Sequence, residues 1–359
     1  MTRELDLVGL SEIAELTGFS KQAVANWRAR DPEFPSPLSE LKSGPVWAFS
    51  MIREWAEAKG LQLRRPQETV ARPVGGESMA KCVGVVNMKG GVGKSTLSAN
   101  LGWYCAQRKK KRVLLVDLDP QFNLSQYVLG SERYEDEIIK KGRCTVLDIF
   151  EEHTPSAISG TSPKKVLPND VICKVREWRD GRCLDIITSR LELEWTLKNP
   201  HDKEHLLDAF LKKVMKNYDL VLIDSAPTPS MLTTAAYLAS DSVLVPVKPE
   251  FLSTIGLPLV LRSIEEFQNR HAEHVLQLVG IVFNSASSSE KERVRSKKFV
   301  SELASKNEWY VFANEVSYSG SYPAGARAGK PIFLTDYARS WKVAEFEAVA
   351  EEFIQRIAL

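Results

Sequence analysis

The residues best suited to chemistry lie in one run, Asn87-Met88-Lys89-Gly90-Gly91-Val92-Gly93-Lys94-Ser95-Thr96. An apolar stretch, Val83-Gly84-Val85-Val86, precedes it and reads as a buried strand; Leu97 to Ala106 follows and reads as a helix. A strand, a glycine-rich loop and a helix start make a phosphate cradle. Backbone N–H groups at Gly90, Gly91, Val92 and Gly93, with those of Lys94, Ser95 and Thr96 at the positive helix end, suit phosphate oxygens. In that pattern Lys94 reaches the outer phosphates and the Ser95 hydroxyl ligates Mg²⁺. The strict form of the loop has glycine six positions before Lys94. Met88 stands there, and a second lysine, Lys89, stands at the mouth of the loop.

Two further segments end apolar strands in carboxylates. Val113-Leu114-Leu115-Val116-Asp117-Leu118-Asp119-Pro120-Gln121 places Asp117 and Asp119 two residues apart, on one side of the strand if it extends that far. Leu220-Val221-Leu222-Ile223-Asp224 delivers Asp224 at a strand end, the pattern of a carboxylate that holds Mg²⁺ through water. An ordinary solvated strand end explains either segment taken alone; their order after the glycine-rich loop favours one nucleotide site.

With its early lysine, Lys89 to Thr96 resembles the deviant Walker A motif of the ParA/MinD family of ATPases. Asp117-Leu118-Asp119-Pro120-Gln121 is similar to that family's Asp-x-Asp-Pro-Gln segment, and its last two residues favour the ParA branch. Asp224-Ser225-Ala226-Pro227 departs mildly from the family's usual Asp-x-Pro-Pro. Pro246 to Phe251, Gly256-Leu257, Gly280 to Asn284 and Gly329 to Ile332 also match by position, so the resemblance runs over about residues 81 to 350. It implies ATP and Mg²⁺ as cofactors and a homodimer in which Lys89 reaches the partner's nucleotide. It puts Asp119 near the γ-phosphate and attacking water, and Asp117 near the Mg²⁺ shell. It further implies nonspecific DNA binding by the ATP dimer and a ParB-like protein that stimulates hydrolysis.

The elements that would position these residues follow from hydropathy. Val83–Val86, Val113–Val116, Leu184–Ile187, Leu220–Ile223, Val243–Val247 and Leu278–Phe283 are unbroken apolar runs, suited to strands covered on both faces. Their alternation with helical patterns predicts an α/β domain with a doubly wound, mostly parallel sheet over residues 81–359. Ligands of such sheets bind beyond the strand carboxyl ends, where the three motifs fall. Residues 131–182 are polar and read as an irregular insertion.

Ahead of this domain, residues 1–60 read as a small unit of their own. Ser11 starts one short helix that stops at Gly18, and Ser20 caps a second from Lys21 to Arg30. Strand-like pieces flank Lys42-Ser43-Gly44-Pro45, and a third helix spans Ser50 to Lys59. Helix-turn-helix, hairpin and helix resemble a winged helix-turn-helix of the MerR or excisionase kind. That resemblance makes Ser20, Lys21, Gln22, Asn26, Arg28, Arg30 and Lys42 candidate DNA contacts. Trp27 reads as core rather than as a base-stacking residue. Residues 61–80, with Pro66, Pro73, Gly75 and Gly76, read as a linker.

Composition bounds the partners. Lys plus Arg total 48 against 46 Asp plus Glu, a net charge of +2 in 359 residues. DNA binding must then come from local patches. Lys291, Arg293, Arg295, Lys297, Lys298, Arg327, Arg339 and Lys342 are candidates for nonspecific phosphate contacts, though a basic run is commonly a solvated helix face. No run approaches the ~20 apolar residues of a membrane span, and no signal-like apolar stretch opens the chain. Five cysteines without metal spacing read as reduced thiols. These features predict a cytoplasmic, nucleoid-associated ATPase of DNA partition that also represses its own operon. A nucleotide-controlled regulator, and a positioning ATPase for a non-DNA cargo, are the alternatives.

Overall fold

Three aromatic side chains, Phe34, Trp47 and Trp55, are buried together with aliphatic ones in the core of the N-terminal unit. The structure, a computed structural model, describes residues 7–17, 19, 21–41, 44–61, 80–152, 166–198, 203–286 and 290–359. Contacts divide the chain into units spanning residues 1–76 and 77–359. In the first unit, α1 (Leu10–Thr17), α2 (Lys21–Arg30) and α3 (Phe49–Ala58) accompany three antiparallel strands. These are β1 (Leu7–Gly9), β2 (Ser39–Leu41) and β3 (Gly44–Ala48), in the order β1-β3-β2. Strand β1 was absent from the sequence reading. Ile13, Val24, Phe34, Trp47, Ile52 and Trp55 form the core, with Trp27 packed against it. Buried indole N–H groups need acceptors: Trp47 Nε1 donates to Pro35 O at 2.7 Å and Trp55 Nε1 to Asp31 Oδ2 at 3.2 Å.

In the second unit the six apolar runs become six adjacent parallel strands. They are β4 (Lys81–Val85), β5 (Val113–Leu118), β7 (Cys183–Ile187), β8 (Leu220–Ser225), β9 (Ser242–Val247) and β10 (Gln277–Ala286). An antiparallel strand, β6 (Ile172–Glu177), lies at one edge and a short parallel one, β11 (Val316–Ser317), at the other. The order is β11-β10-β9-β4-β8-β5-β7-β6. Region 131–182, expected to be irregular, is instead helical over Ser131–Tyr134, Glu135–Lys140, Val146–Glu151 and Pro168–Val171 and then supplies β6. Its polarity reflects an edge strand with only one residue, Cys173, fully buried. All five cysteines are free thiols.

Side-chain alternation distributes the strands between two faces. Leu115 and Leu222 pack with Leu97, Leu101, Phe346 and Phe353, from α4 (Lys94–Gln107) and the helix Ser340–Ile357. Leu114, Val116, Val221 and Ile223 pack on the other face with Phe150, Phe210, Leu211 and Leu232. Gly102 lets α4 lie close on the sheet: a Cβ there would fall 2.7 Å from Leu115 Cδ2. At the start of the central strands, Arg112 donates from Nη2 to Asp219 Oδ1 at 2.7 Å and from its backbone N–H to Oδ2 at 2.7 Å. This fork ties the start of β5 to the start of β8. Gly102→Val should lower stability by about 1–3 kcal/mol through overpacking against Leu115. Chemical denaturation measures it, and an unchanged midpoint would contradict the close α4–sheet contact.

Candidate functional site

Parallel register brings the motif residues together. Strand β4 pairs with β8 so that Val85 opposes Asp224, and β5 pairs with β8 so that Asp117 opposes Asp224. The glycine-rich loop leaves the end of β4 and enters α4 at Lys94. Gly91 has φ +76° and Gly93 φ +84°, left-handed conformations that favour glycine. A Cβ at Gly93 would also collide with Asn284 Nδ2, which donates to Val92 O at 2.8 Å and Gly93 O at 3.3 Å. At Gly90 and Gly91 a Cβ would meet nothing within 4 Å, so the loop's open side faces free space. Asn87 anchors the other end, donating to Pro246 O at 2.7 Å and accepting from the Lys89 N–H at 2.8 Å.

Around this loop lies a buried charge cluster. Lys94 is 6% exposed, Asp119 5%, and Asp117 and Asp224 0%. Lys94 donates to Lys89 O at 3.3 Å. Burial pushes its pKa down, opposed by the charges of Asp224 and Asp119. Burial pushes the Asp224 carboxyl up to about 7, against the pull of the Ser95 hydroxyl, Lys94 and Ser98. The Ser98 hydroxyl lies 3.4 Å from Asp224 Oδ1, and Asp224 Oδ2 is buried with no hydrogen-bond partner among the described residues. Asp119 is also raised by burial, opposed by the Gln121 N–H that donates to Oδ1 at 2.9 Å and by Lys94.

Asp117 differs from its neighbours. Oδ2 accepts from Ser125 N at 2.8 Å and Ser125 Oγ at 2.7 Å, and Oδ1 from Asp119 N at 3.2 Å. Ser125 Oγ in turn accepts from Ser189 N at 2.9 Å. This carboxyl is raised well above its ordinary range by burial and then by the charge of Asp224. It fastens the helix α5 (Asn123–Leu129) and the turn after β7 to the site. Ser98, Ser125, Asn100 and Tyr127 were missed by sequence reasoning, since no spacing rule marks a serine eight residues after an aspartate.

A cleft of about 390 Å³ opens above the cluster. Gly90, Gly91, Gly93, Lys94, Ser95, Thr96, Asp119 and Gln121 line one part of it, with Gln126, Tyr127, Ser131, Pro227 and Arg327 among the other residues. Arg327, expected among the nonspecific DNA contacts, thus lies at the nucleotide-sized cleft. Lys342 is a correction to that set: it is 7% exposed, with its ammonium against Ser317 Oγ and 3.7 Å from Glu345. Arg293 and Lys297 both pair with Glu315, and Lys298 lies 3.9 Å from Glu302, whereas Lys291 and Arg295 are exposed.

In the N-terminal unit, Lys21 and Gln22 begin α2, and Asn26, Arg28 and Arg30 are exposed along it. Arg28 lies over the Trp47 ring, 5.8 Å from its centroid. Ser20 and Lys42 lie outside the described residues, as does the linker from 62 to 79. Trp27 packs edge-on to Phe19 at 5.0 Å and against Trp55 at 5.3 Å, a core position. Among the described residues no helix is long and apolar enough to cross a membrane.

Sheet order, loop and cluster together define a P-loop nucleoside-triphosphatase fold. The family model described as "AAA domain" matches residues 80–277. The chain is 34% identical to the sporulation initiation inhibitor protein Soj of Bacillus subtilis, over 57% of this chain and 72% of Soj. It is 31% identical to a virulence plasmid ParA family protein of Chlamydia psittaci, over 57% and 69%. An uncharacterized protein of Methanocaldococcus jannaschii is 29% identical over 77% and 98%. Among solved structures, an ATP complex of Cyanothece McdA aligns with a TM-score of 0.62 at 19% identity, over 79% and 98%. A Borrelia burgdorferi plasmid partition protein bound to AMPPNP aligns with 0.58 at 22%, over 77% and 99%. The chain belongs to the ParA family of P-loop ATPases.

A carboxyl whose folded pKa is raised holds a proton that the unfolded chain releases. Its stabilising contribution is complete below the ordinary carboxylate range and is lost as pH rises through about 7. Asp224→Asn should therefore raise the melting temperature of the nucleotide-free protein more at pH 8 than at pH 4.5. Thermal melts across that interval test this, and a pH-independent difference would contradict the buried, proton-holding Asp224.

Proposed function

We propose that the protein is an ATP-dependent, dimerising ATPase of DNA partition, cytoplasmic and nucleoid-associated. Its ATP-bound dimer binds duplex DNA without sequence preference, and its N-terminal unit is a winged helix-turn-helix that binds a specific site and represses its own operon. The observation that carries the first part is the buried Lys94–Asp224–Asp119 cluster beneath an open glycine loop. The ATP and AMPPNP in the two related structures support the same ligand here.

The residues fit a magnesium nucleotide. Asp224 Oδ2 is an orphaned buried acceptor, the Ser95 hydroxyl acts on the same carboxyl group, and the loop keeps free space where phosphates need backbone N–H donors. Ser95 and Asp224 would hold Mg²⁺, with Asp117, opposite Asp224 in the strand register, near its shell. The ion would supply charge compensation to the phosphates. Lys94 adds a fixed cation. Asp119 keeps Oδ1 on the Gln121 N–H and offers its other oxygen to orient the attacking water. Phosphoryl transfer of this kind depends on positioning and electrostatics more than on a strong base. Lys89 completes the partner's site, so dimerisation is coupled to ATP. Hydrolysis is slow, below the ~10 s⁻¹ typical of enzymes, until a ParB-like protein stimulates it.

The three helices and antiparallel sheet of the first unit, with Asn26, Arg28 and Arg30 exposed on α2, support the DNA-reading role. Polar residues early on such a helix suit base edges, and its arginines suit phosphates.

Binding of the full-length protein to random duplex and to its own promoter region, with ATP, ADP or no nucleotide, tests the proposal. ATP should strengthen random-duplex binding at least tenfold, Lys89→Ala should abolish that gain while sparing nucleotide binding, and Lys94→Ala should lose both. Binding confined to the promoter under every nucleotide condition would overturn partition in favour of a regulator.

A further inference from the structure

Among the basic residues that the sequence offered as DNA contacts, Lys291, Arg295 and Arg339 are exposed as Arg327 is, but of these only Arg327 lines the cleft. Lys342, Arg293 and Lys297 are held by carboxylates of their own unit. Arg327 is exposed, lines the cleft that the glycine loop opens onto, and its guanidinium has no ion pair or hydrogen bond among the described residues. An unpaired guanidinium beside a phosphate cradle is a planar donor set matched to phosphate oxygens.

The surrounding backbone holds it there. Its helix, Ser321–Ala328, ends at Gly329 with φ +64°. A Cβ at Gly329 would lie 3.5 Å from Val128 O and 3.6 Å from Gly130 N, so this turn rests on the end of α5. Gly325 admits no side chain, since its Cβ would fall 2.5 Å from Lys330 O, and Lys330 N donates to Gly325 O at 2.9 Å. Two residues on, Ile332 N donates to Asn100 Oδ1 at 2.7 Å, and Asn100 Nδ2 lies 2.8 Å from Tyr127 Oη, a cleft residue. The helix bearing Arg327 is therefore fastened to both α4 and α5, the two helices that wall the cleft.

Charge gives this position a use. Lys94, the cation of the loop, is buried facing Asp224 and Asp119, which offset its charge. Lys94 and one divalent ion leave part of a triphosphate's charge unopposed. We propose that Arg327 binds the phosphates of the nucleotide from within the same chain, as a second cation opposite the loop. The inference rests on the cleft being the ATP site.

Calorimetric titration of full-length protein with ATP and with ADP, in Mg²⁺, tests it. Arg327→Ala should weaken nucleotide affinity about tenfold, in line with one charge-assisted hydrogen bond. Arg327→Lys, which keeps the charge and loses the fork, should fall between. Random-duplex binding at saturating ATP should match wild type in both variants, and circular dichroism should match throughout. Normal nucleotide affinity in Arg327→Ala, or loss of duplex binding despite saturating ATP, would overturn the proposal and return Arg327 to the DNA surface. A wild-type protein that binds no ATP would instead remove the site reading on which it rests.

Discussion

Burial of an ammonium among carboxylates at the ends of adjacent parallel strands is the constraint on which the site depends. Isolated ions in such a place are strongly unfavourable, and attraction between them only partly offsets the loss of water. Here Asp117 and Asp224 oppose each other across β5 and β8, both fully buried, with Lys94 and Asp119 beside them. Proton retention on the carboxyls relieves part of the repulsion. A bound magnesium nucleotide would relieve the rest, since a divalent ion favours ionised carboxylates and phosphates occupy the open loop. The strand register, more than attraction among the charges, holds these groups together.

The rest of the second unit can be understood from that demand. Register fixes the strand ends, and the Arg112–Asp219 fork at the opposite end of β5 and β8 resists slippage. Gly102 brings α4 close to the sheet, which carries Lys94 and Ser98 to the carboxylates. Asp117 uses both oxygens on protein donors and so acts as a peg between β5, α5 and the turn after β7. Asn284, at the far side, holds two carbonyls of the loop and occupies the space a side chain at position 93 would need.

Legibility in the sequence followed burial. The six strands covered on both faces were readable because two-sided burial demands unbroken apolar residues. Strands β1, β6 and β11 were not: they are edge strands of two to six residues, too short for an unbroken apolar run, and solvent reaches part of β6 and β11. The glycine loop and the three aspartates were legible because backbone geometry dictates their spacing. Ser125, Asn100 and Arg327 were not recognised at the site because tertiary packing, rather than local spacing, brings them to it. Lys342 misled for the same reason: its burial against Ser317 and Glu345 depends on β11, which the sequence did not reveal.

The most direct test of the central claim is ATP affinity measured by equilibrium titration with and without Mg²⁺ from pH 5.5 to 8.5. If the nucleotide completes the carboxylate cluster, affinity should depend strongly on Mg²⁺ and rise with pH through about 7, as Asp224 gives up its proton. Affinity that is the same without Mg²⁺ and flat across this range would contradict the account.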